Sequence, residues 1–469
     1  QFTTFMKRTL LTLLFGVVIL STSTSQTTFS TKMPIDTNAG TNPYVVVSGL
    51  INNDAYPDLV VSAYNASTIK LYINNTDGSF AAPVKISSTL SQVGGISLAD
   101  IDGINGLDIV AASYADNKAV WFANNGSGGF GTENVISSSV TDAAGIHTAD
   151  VNNDTFVDVI VSVNGDDKVV WYANDGTGNL PGGENTIVSG LNQPGDIDMI
   201  DFDDDGDLDI VISTAEYAAN GRVDVYYNDL IPGGSVAFTV DANPVTDSGN
   251  VYLFDVDFAD VNDDGNIDIL VSDSFGDLAW FNKELDGTYT KNIISISMAN
   301  PGTVESADMD DDGYNDLVIT NGGTAGNDLI WFESTDIGGF NSESVIDATQ
   351  AQIFTLAIDD FDNDGDLDIA TVDYQNFDVN WFENELYTLG INDLTQNTFN
   401  IYPNPVKNKL YVKSPNNESY NVSVYDILGK NVVNSNISPN NPLDVSSLYN
   451  GIYIIKFEGY NKTFKFVKE

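Results

Sequence analysis

Nine-residue windows rich in carboxylates recur seven times along the chain, about fifty residues apart, and their spacing suits a cage for a hard cation. Asp201, Asp203, Asp205, Gly206 and Asp209 read DxDxDGxxD. The frame returns at Asp260, Asn262, Asp264, Gly265 and Asp268, at Asp308, Asp310, Asp312, Gly313 and Asp316, and at Asp360, Asp362, Asp364, Gly365 and Asp368. A fifth copy, Asp150, Asn152, Asp154 and Asp158, has Thr155 in place of the glycine. Two copies are degraded. The first in the chain has Leu50 in the leading position but keeps Asn52, Asp54 and Asp58, and the second keeps Asp100, Asp102 and Asp108 around Ile104. Calcium takes about six to eight oxygens, which alternate side chains of a tight loop supply. Glycine at the sixth position lets the backbone adopt a positive φ and aim inward the carbonyl of the seventh residue, here Asp207, Asn266, Tyr314 or Asp366.

An EF-hand opens in the same way but closes with a glutamate at its twelfth position, ahead of a helix. That position here holds Val161, Ile212, Val271, Ile319 and Thr371, within β-branched runs that signal strands. Acidic turns also keep hairpin tips soluble, but five copies of the full oxygen set weigh against that as their whole purpose. The expected cofactor is structural Ca²⁺ at five sites, rising to seven if the degraded copies also bind.

Each repeat carries four strand-like pieces; in the third they are Gly145 to Ala149, Val157 to Val163, Val169 to Ala173 and Asn185 to Ser189. Four strands in a period of about 40 to 50 residues indicate one blade of a β-propeller. The expected fold class is all-β, a seven-bladed propeller followed by a small C-terminal β-sandwich. Pairs containing aromatics recur in register at Tyr72 and Ile73, Trp121 and Phe122, Trp171 and Tyr172, Tyr226 and Tyr227, Trp280 and Phe281, Trp331 and Phe332, and Trp381 and Phe382. All five tryptophans fall here, which favours core between blades over a sugar platform. Phe80 with Ile86, Phe130 with Ile136 and Phe340 with Ile346 mark fourth strands, and Phe29 with Ile35 repeats the spacing near the start. An N-terminal strand is therefore expected beside Asn380, closing the last blade and removing both free edges. The carboxylate loops join first to second strands and share a face with the three-to-four turns. An insertion from Ala215 to Arg222 decorates the opposite face and is a candidate partner surface.

The formal charge of -49 is unevenly spread. From Gly390 onward there are 8 Lys and Arg against 6 Asp and Glu, which leaves 10 cations against 61 carboxylates before it. So anionic a surface disfavours nucleic acid and anionic membranes as partners. Cysteine is absent, so no disulfide staples the fold. Met6, Lys7 and Arg8 precede an apolar run from Leu10 to Leu20 and small residues Ser23 to Ser25, a secretory signal over residues 1–25 with its natural start expected at Met6. That run is too short to span a bilayer, and no later segment is apolar enough to do so.

These loops and their seven-fold recurrence resemble the FG-GAP/VCBS repeat family and the calcium-bearing propeller of integrin α subunits, over residues 26–386. The tail resembles the C-terminal sorting domain of the type IX secretion system, over residues 399–469, after a linker at 387–398. That likeness rests on Asn400 to Val406, Val424 to Asp426 with Leu428 to Lys430, Leu448, Gly451 to Tyr453, and Lys465, Val467 and Lys468. It implies export across an outer membrane by the type IX machinery, with surface attachment or release.

Catalytic residues are scarce. One histidine, His147, lies in an inner strand, and after signal removal the only arginine is Arg222. A lyase or phosphatase needs a base and cations that this inventory does not supply. The expectation is a non-enzymatic secreted binding or adhesion module for glycan or protein ligands; the alternative is a polysaccharide-active enzyme using carboxylates at the central channel.

Overall fold

The computed structural model describes residues 27–469 except 77, 215–220, 244, 246–252, 263, 274–276, 285, 296–297, 299–300, 323–328, 336–338, 387–399, 414–418, 427–429, 439–440, 458–461 and 469. The signal segment, the linker and residues 215–220 of the insertion lie outside the described residues. The chain divides into two compact units, residues 1–387 and 388–469.

Seven four-stranded antiparallel sheets and one two-stranded ribbon, Ser334–Thr335 with Gly339–Phe340, make up the first unit among its described residues. The third sheet runs Ala143–Ala149, Asp158–Val163, Lys168–Tyr172 and Asn185–Ser189, paired in chain order. Second strands such as Asp58–Ala63, Asp108–Ser113 and Asp158–Val163 are buried along their whole length, which is why they read as near-continuous small and β-branched runs. Inner strands shift register near their start, between Pro43 and Val46, Ala143 and Ile146, and Ile353 and Leu356, bulges that bend the strand at the same point of each repeat.

The seventh sheet is completed from the other end of the unit. Met33–Asp36 pairs with Asp378–Phe382, with Met33 opposite Trp381 and Pro34 opposite Asn380, as the Phe29 and Ile35 spacing predicts. Phe29 bridges Asn384 just as Phe80 bridges Asn74 and Phe130 bridges Asn124. The aromatic of that spacing belongs to the three-to-four turn and not to the fourth strand, which covers only Val84–Ser87 or Asn134–Ser137.

Apolar clusters join each sheet to the next, and the series closes on itself. Trp121 with Val159 and Val161 joins sheets two and three, Trp171 with Ile210 and Ile212 joins three and four, and Trp381 with Val46 and Leu59 joins the seventh to the first. The five tryptophans are only 5% to 8% exposed, so they are core and not platforms. Gly178 shows how tightly successive sheets meet: its φ is +74°, and a Cβ there would lie 2.7 Å from the Trp121 ring.

Pairing corrects the aromatic register in two sheets. Leu59 faces Tyr72 and Ile210 faces Tyr226, as Ile109 faces Phe122, so Tyr72 and Tyr226 are second members of their pairs. Leu71 and Val225 hold the tryptophan position there, because those interfaces accept an aliphatic side chain in its place.

In the second unit, Asn400–Tyr402, Lys409–Lys413 and Leu443–Asp444 form one sheet, and Asn431–Ile437, Tyr420–Asp426, Gly451–Phe457 and Lys462–Lys468 form another. Both contribute to a single core that includes Ile401, Leu410, Val422, Ile455 and Phe466.

Candidate metal centres

Every carboxylate loop joins an inner strand to the second strand of its sheet. In loops three to seven the first carboxylate accepts the N–H groups of the fifth and sixth residues; Asp201 takes those of Asp205 and Gly206, both at 3.1 Å, and Asp308 takes those of Asp312 at 3.1 Å and Gly313 at 2.9 Å. The fifth carboxylate in turn accepts the seventh N–H, as Asp205 does from Asp207 at 3.1 Å. Positive φ falls at the sixth position as expected, at Gly206, Gly313 and Gly365, and also at Thr155 and Asn105. It falls equally at the fourth, at Asn53, Gly103, Asn153, Asp204, Asp311 and Asn363, where Asn, Asp and Gly are the residues that tolerate it.

The ninth aspartate is the buried anchor. Asp58, Asp108, Asp158, Asp268, Asp316 and Asp368 are 0% exposed and Asp209 is 1% exposed. In loops two, three, four, six and seven one oxygen accepts the N–H of the loop's second residue, as Asp209 does from Phe202 at 2.9 Å, and the other accepts an N–H from the end of the third strand, as Asp209 does from Asn228 at 2.8 Å; Asp268 keeps only the first of these bonds. Burial pushes these carboxyls up, to about 6 for Asp58 and Asp108, about 7 for Asp158, Asp209, Asp268 and Asp316, and about 9 for Asp368.

Four loops gather three carboxylates with oxygens within 4.8 Å of one another: Asp100, Asp102 and Asp108; Asp201, Asp203 and Asp209; Asp308, Asp310 and Asp312; and Asp360, Asp362 and Asp368. In loops three and five the third position is Asn152 or Asn262, whose side-chain oxygen accepts the N–H of Asp154 or Asp264 at 2.9 Å. Buried acceptors with no hydrogen-bond partner remain at Asp310 Oδ1 and Asp364 Oδ2, which is what a cage built for a cation leaves over, and at Asp268 Oδ1, whose counterpart in other sheets accepts the third-strand N–H. The donor set is all oxygen and fits a hard divalent ion such as Ca²⁺. The two degraded copies differ. Loop two keeps its carboxylate cluster although Ile104 points out at 57% exposure. In loop one the amide of Asn52 donates to Asp54 Oδ2 at 2.7 Å, so a neutral donor lies against the carboxylate that a cation would need.

An asparagine two residues beyond the second aromatic has a role that the spacing of acids does not reveal. Asn74, Asn124, Asn174, Asn228 and Asn384 each donate a backbone N–H to the ninth aspartate of their own sheet. Their side chains donate to a carbonyl in the preceding loop: Asn124 to Ile51 at 2.8 Å, Asn174 to Ile101 at 2.8 Å, Asn228 to Val151 at 3.1 Å and Asn384 to Met309 at 2.7 Å. Asn74 reaches Phe361 of the seventh loop at 2.6 Å, so the linkage crosses the closure. Sheets five and six depart from this pattern. Lys283 holds the position in the fifth and lies 4.6 Å over the Phe202 ring, while Ser334 holds it in the sixth with an unpartnered Oγ.

A second acidic region lines the inner strands of sheets four to six. Asp196 accepts the N–H of Val256 at 3.3 Å, Asp255 that of Val304 at 2.9 Å and Asp257 that of Ser306 at 2.7 Å, each serving the strand edge of the next sheet. Asp198 lies 3.5 Å from His147 Nε2, and Glu305 stands beside them. Burial raises all five carboxyls and lowers His147 to about 4, which leaves that imidazole neutral at pH 7.

Repeated four-stranded sheets joined in a closed series define an all-β, propeller-like protein with acidic loops on one face. Residues 51–103, 105–161 and 156–212 match the FG-GAP-like repeat, and residues 400–469 match the secretion system C-terminal sorting domain. The chain therefore carries FG-GAP-like repeats and a type IX sorting tail, which indicates secretion or a cell-surface location and implies interaction with that secretion system. Among solved structures, the BBS1N complex with ARL6DN is similar over 76% of this chain and 96% of that one, at 10% identity and a TM-score of 0.50, a likeness of fold alone. An inactive virginiamycin B lyase from Staphylococcus aureus with quinupristin covers 76% and 99% at 13% identity and a TM-score of 0.49. An Agrocybe aegerita lectin recognising non-reducing terminal N-acetylglucosamine covers 69% and 81% at 17% identity and a TM-score of 0.45. No curated protein sequence matches the chain. Among the described residues, no helix is long and apolar enough to cross a membrane.

Proposed function

We propose that this is a secreted or surface-displayed, calcium-loaded seven-bladed propeller that acts as a binding or adhesion module for a glycan or protein ligand. In this reading residues 1–25 are the secretory signal, 26–386 the propeller and 399–469 a sandwich-like sorting domain read by the type IX machinery. The observation that carries it is the convergence of carboxylates in loops two, four, six and seven, each within 4.8 Å. Ions held there would pin the inner strand to the second strand in each blade and so stiffen the loops displayed on the opposite face. A glycan array and a panel of surface proteins probed with the calcium-loaded protein test the reading: retention that chelator abolishes supports it, and no retention of any ligand contradicts it.

The inner-strand acids favour a second reading, a polysaccharide-active enzyme. Asp196, Asp198, Asp255, Asp257 and Glu305 stand outside the loops, and burial raises all five, to about 7 for Asp196 and about 6 for Asp198 and Asp257. Turnover of a polysaccharide that Asp198→Asn or Glu305→Gln abolishes would favour the enzyme; turnover by neither wild type nor variant returns the choice to the binding module.

A further inference from the structure

We infer that the face opposite the carboxylate loops carries a stacking site for a neutral glycan at the junction of the seventh and first sheets, centred on Tyr44, Tyr64, Phe354 and Tyr374. The inference rests on the binding-module reading and gives it a place and a ligand class. Tyr44 and Phe354 are the second residues of their inner strands, and Tyr64 and Tyr374 open the loops between second and third strands. Ring centroids lie 5.4 Å apart for Tyr44 and Tyr64, 5.2 Å for Tyr44 and Phe354, and 5.1 Å for Phe354 and Tyr374. These contacts, and that of Tyr44 with Tyr374, are tilted or edge-on, so no two rings of the group lie face to face. Unlike the buried tryptophans, all four residues are only half-buried.

The backbone beneath these rings is fixed. Tyr64 donates its N–H to the Asn42 carbonyl at 2.8 Å and Tyr374 donates to Gln352 at 2.8 Å, while Asn42 Nδ2 donates across the junction to the Tyr374 carbonyl at 2.9 Å. The two sheets therefore present one surface, with little ordering left to do on binding. Amides border it. Asn65 donates to Asn42 Oδ1 at 2.9 Å and Gln375 to Gln352 Oε1 at 3.1 Å, and Asn65 and Gln375 are exposed. A pyranose offers an apolar C–H face for an aromatic ring and a rim of hydroxyls for amide donors and acceptors. Segments 37–44, 64–68, 350–355 and 373–378 contribute no Lys or Arg, and Lys70, which reaches the Asn38 carbonyl at 3.0 Å, is paired with Asp36 at 3.2 Å, so the charge at hand disfavours an acidic glycan.

Cellohexaose, laminarihexaose and xylohexaose titrated calorimetrically into the calcium-loaded full chain test the site. At least one should bind, and Tyr64→Ala and Tyr374→Ala should each weaken it about tenfold or more, while Tyr374→Phe, which keeps the ring, stays within about threefold. Binding unchanged in both alanine variants overturns the site and leaves the binding-module reading standing. Binding of none of the three hexasaccharides overturns the ligand class, and so does preference for an alginate hexasaccharide or a lysine-rich peptide. If either alanine variant lowers the melting temperature, the exposed-rim variants Asn65→Ala and Gln375→Ala decide: weaker binding supports the site, and unchanged binding overturns it. The module reading fails separately, if the wild-type protein retains nothing across the wider array of glycans and proteins.

Discussion

At the scale of single residues, a buried carboxylate without a counter-charge costs stability once it ionises, and the ninth aspartates are in that position. In the folded, calcium-free protein they hold protons to about pH 7 at Asp158, Asp209, Asp268 and Asp316, and to about 9 at Asp368, against an ordinary value of 3.8. A raised folded-state pKa means that the calcium-free fold loses stability as pH rises from about 4 through those values. A bound cation favours the ionised form and removes the loss. The melting temperature of calcium-free protein should therefore fall between pH 5 and 8 while that of calcium-loaded protein changes little; a gap that narrows with rising pH would contradict the assignment. Asp205→Ala removes one cage oxygen and the acceptor for Asp207, and should lower the calcium-loaded melting temperature by less than chelator does. Acid spacing was enough to mark the loops in the sequence, because ligand geometry restricts residue type. The Asn52 to Asp54 contact that closes loop one was not legible, since asparagine at a ligand position reads equally as ligand or as donor.

At the scale of elements, the asparagines tie each loop to its neighbour. Asn174 is 2% exposed and donates to Ile101 and Val157, so Asn174→Ala strands two carbonyls at about 1–3 kcal/mol each and should lower the melting temperature by several degrees. Ser334 leaves the same position half used. Ser334→Asn should add a contact to the fifth loop and raise stability by about 1 kcal/mol; a fall in melting temperature would show that the sixth sheet has no room for it. Strand periods and turn residues let the four-strand unit be read in advance, yet the third strand was placed one residue off in sheets one and four. Leu71 and Val225 at the tryptophan position carry no aromatic signal, and the frame is fixed by strand pairing and by hydrogen bonding to the ninth aspartate.

At the scale of the whole molecule, closure joins residues far apart in sequence. Met33–Asp36 covers the free edge of Asp378–Phe382, and Lys70 and Tyr72 both bond Asp36, at 3.2 Å and 2.8 Å. Deleting residues 27–36 should expose that edge and give a protein that self-associates in size-exclusion chromatography; a monomer melting like the parent would show that closure contributes little. The Phe29 and Ile35 spacing made this strand legible because it copies the pattern of the other sheets. The aromatic and amide surface at Tyr44 and Tyr374 was not legible, since its parts come from segments more than three hundred residues apart.

In the proposed reading, bound calcium would supply the rigidity of the closed series of sheets. At ten times its dissociation constant each site adds about 1.4 kcal/mol, and five independent sites about 7 kcal/mol, on the scale of a whole domain's stability. Differential scanning calorimetry at pH 8, with millimolar calcium and then with excess chelator, measures that contribution directly. The account predicts a melting temperature that falls by about ten degrees or more on chelation and returns when calcium is restored; the same melting temperature in both conditions would contradict it.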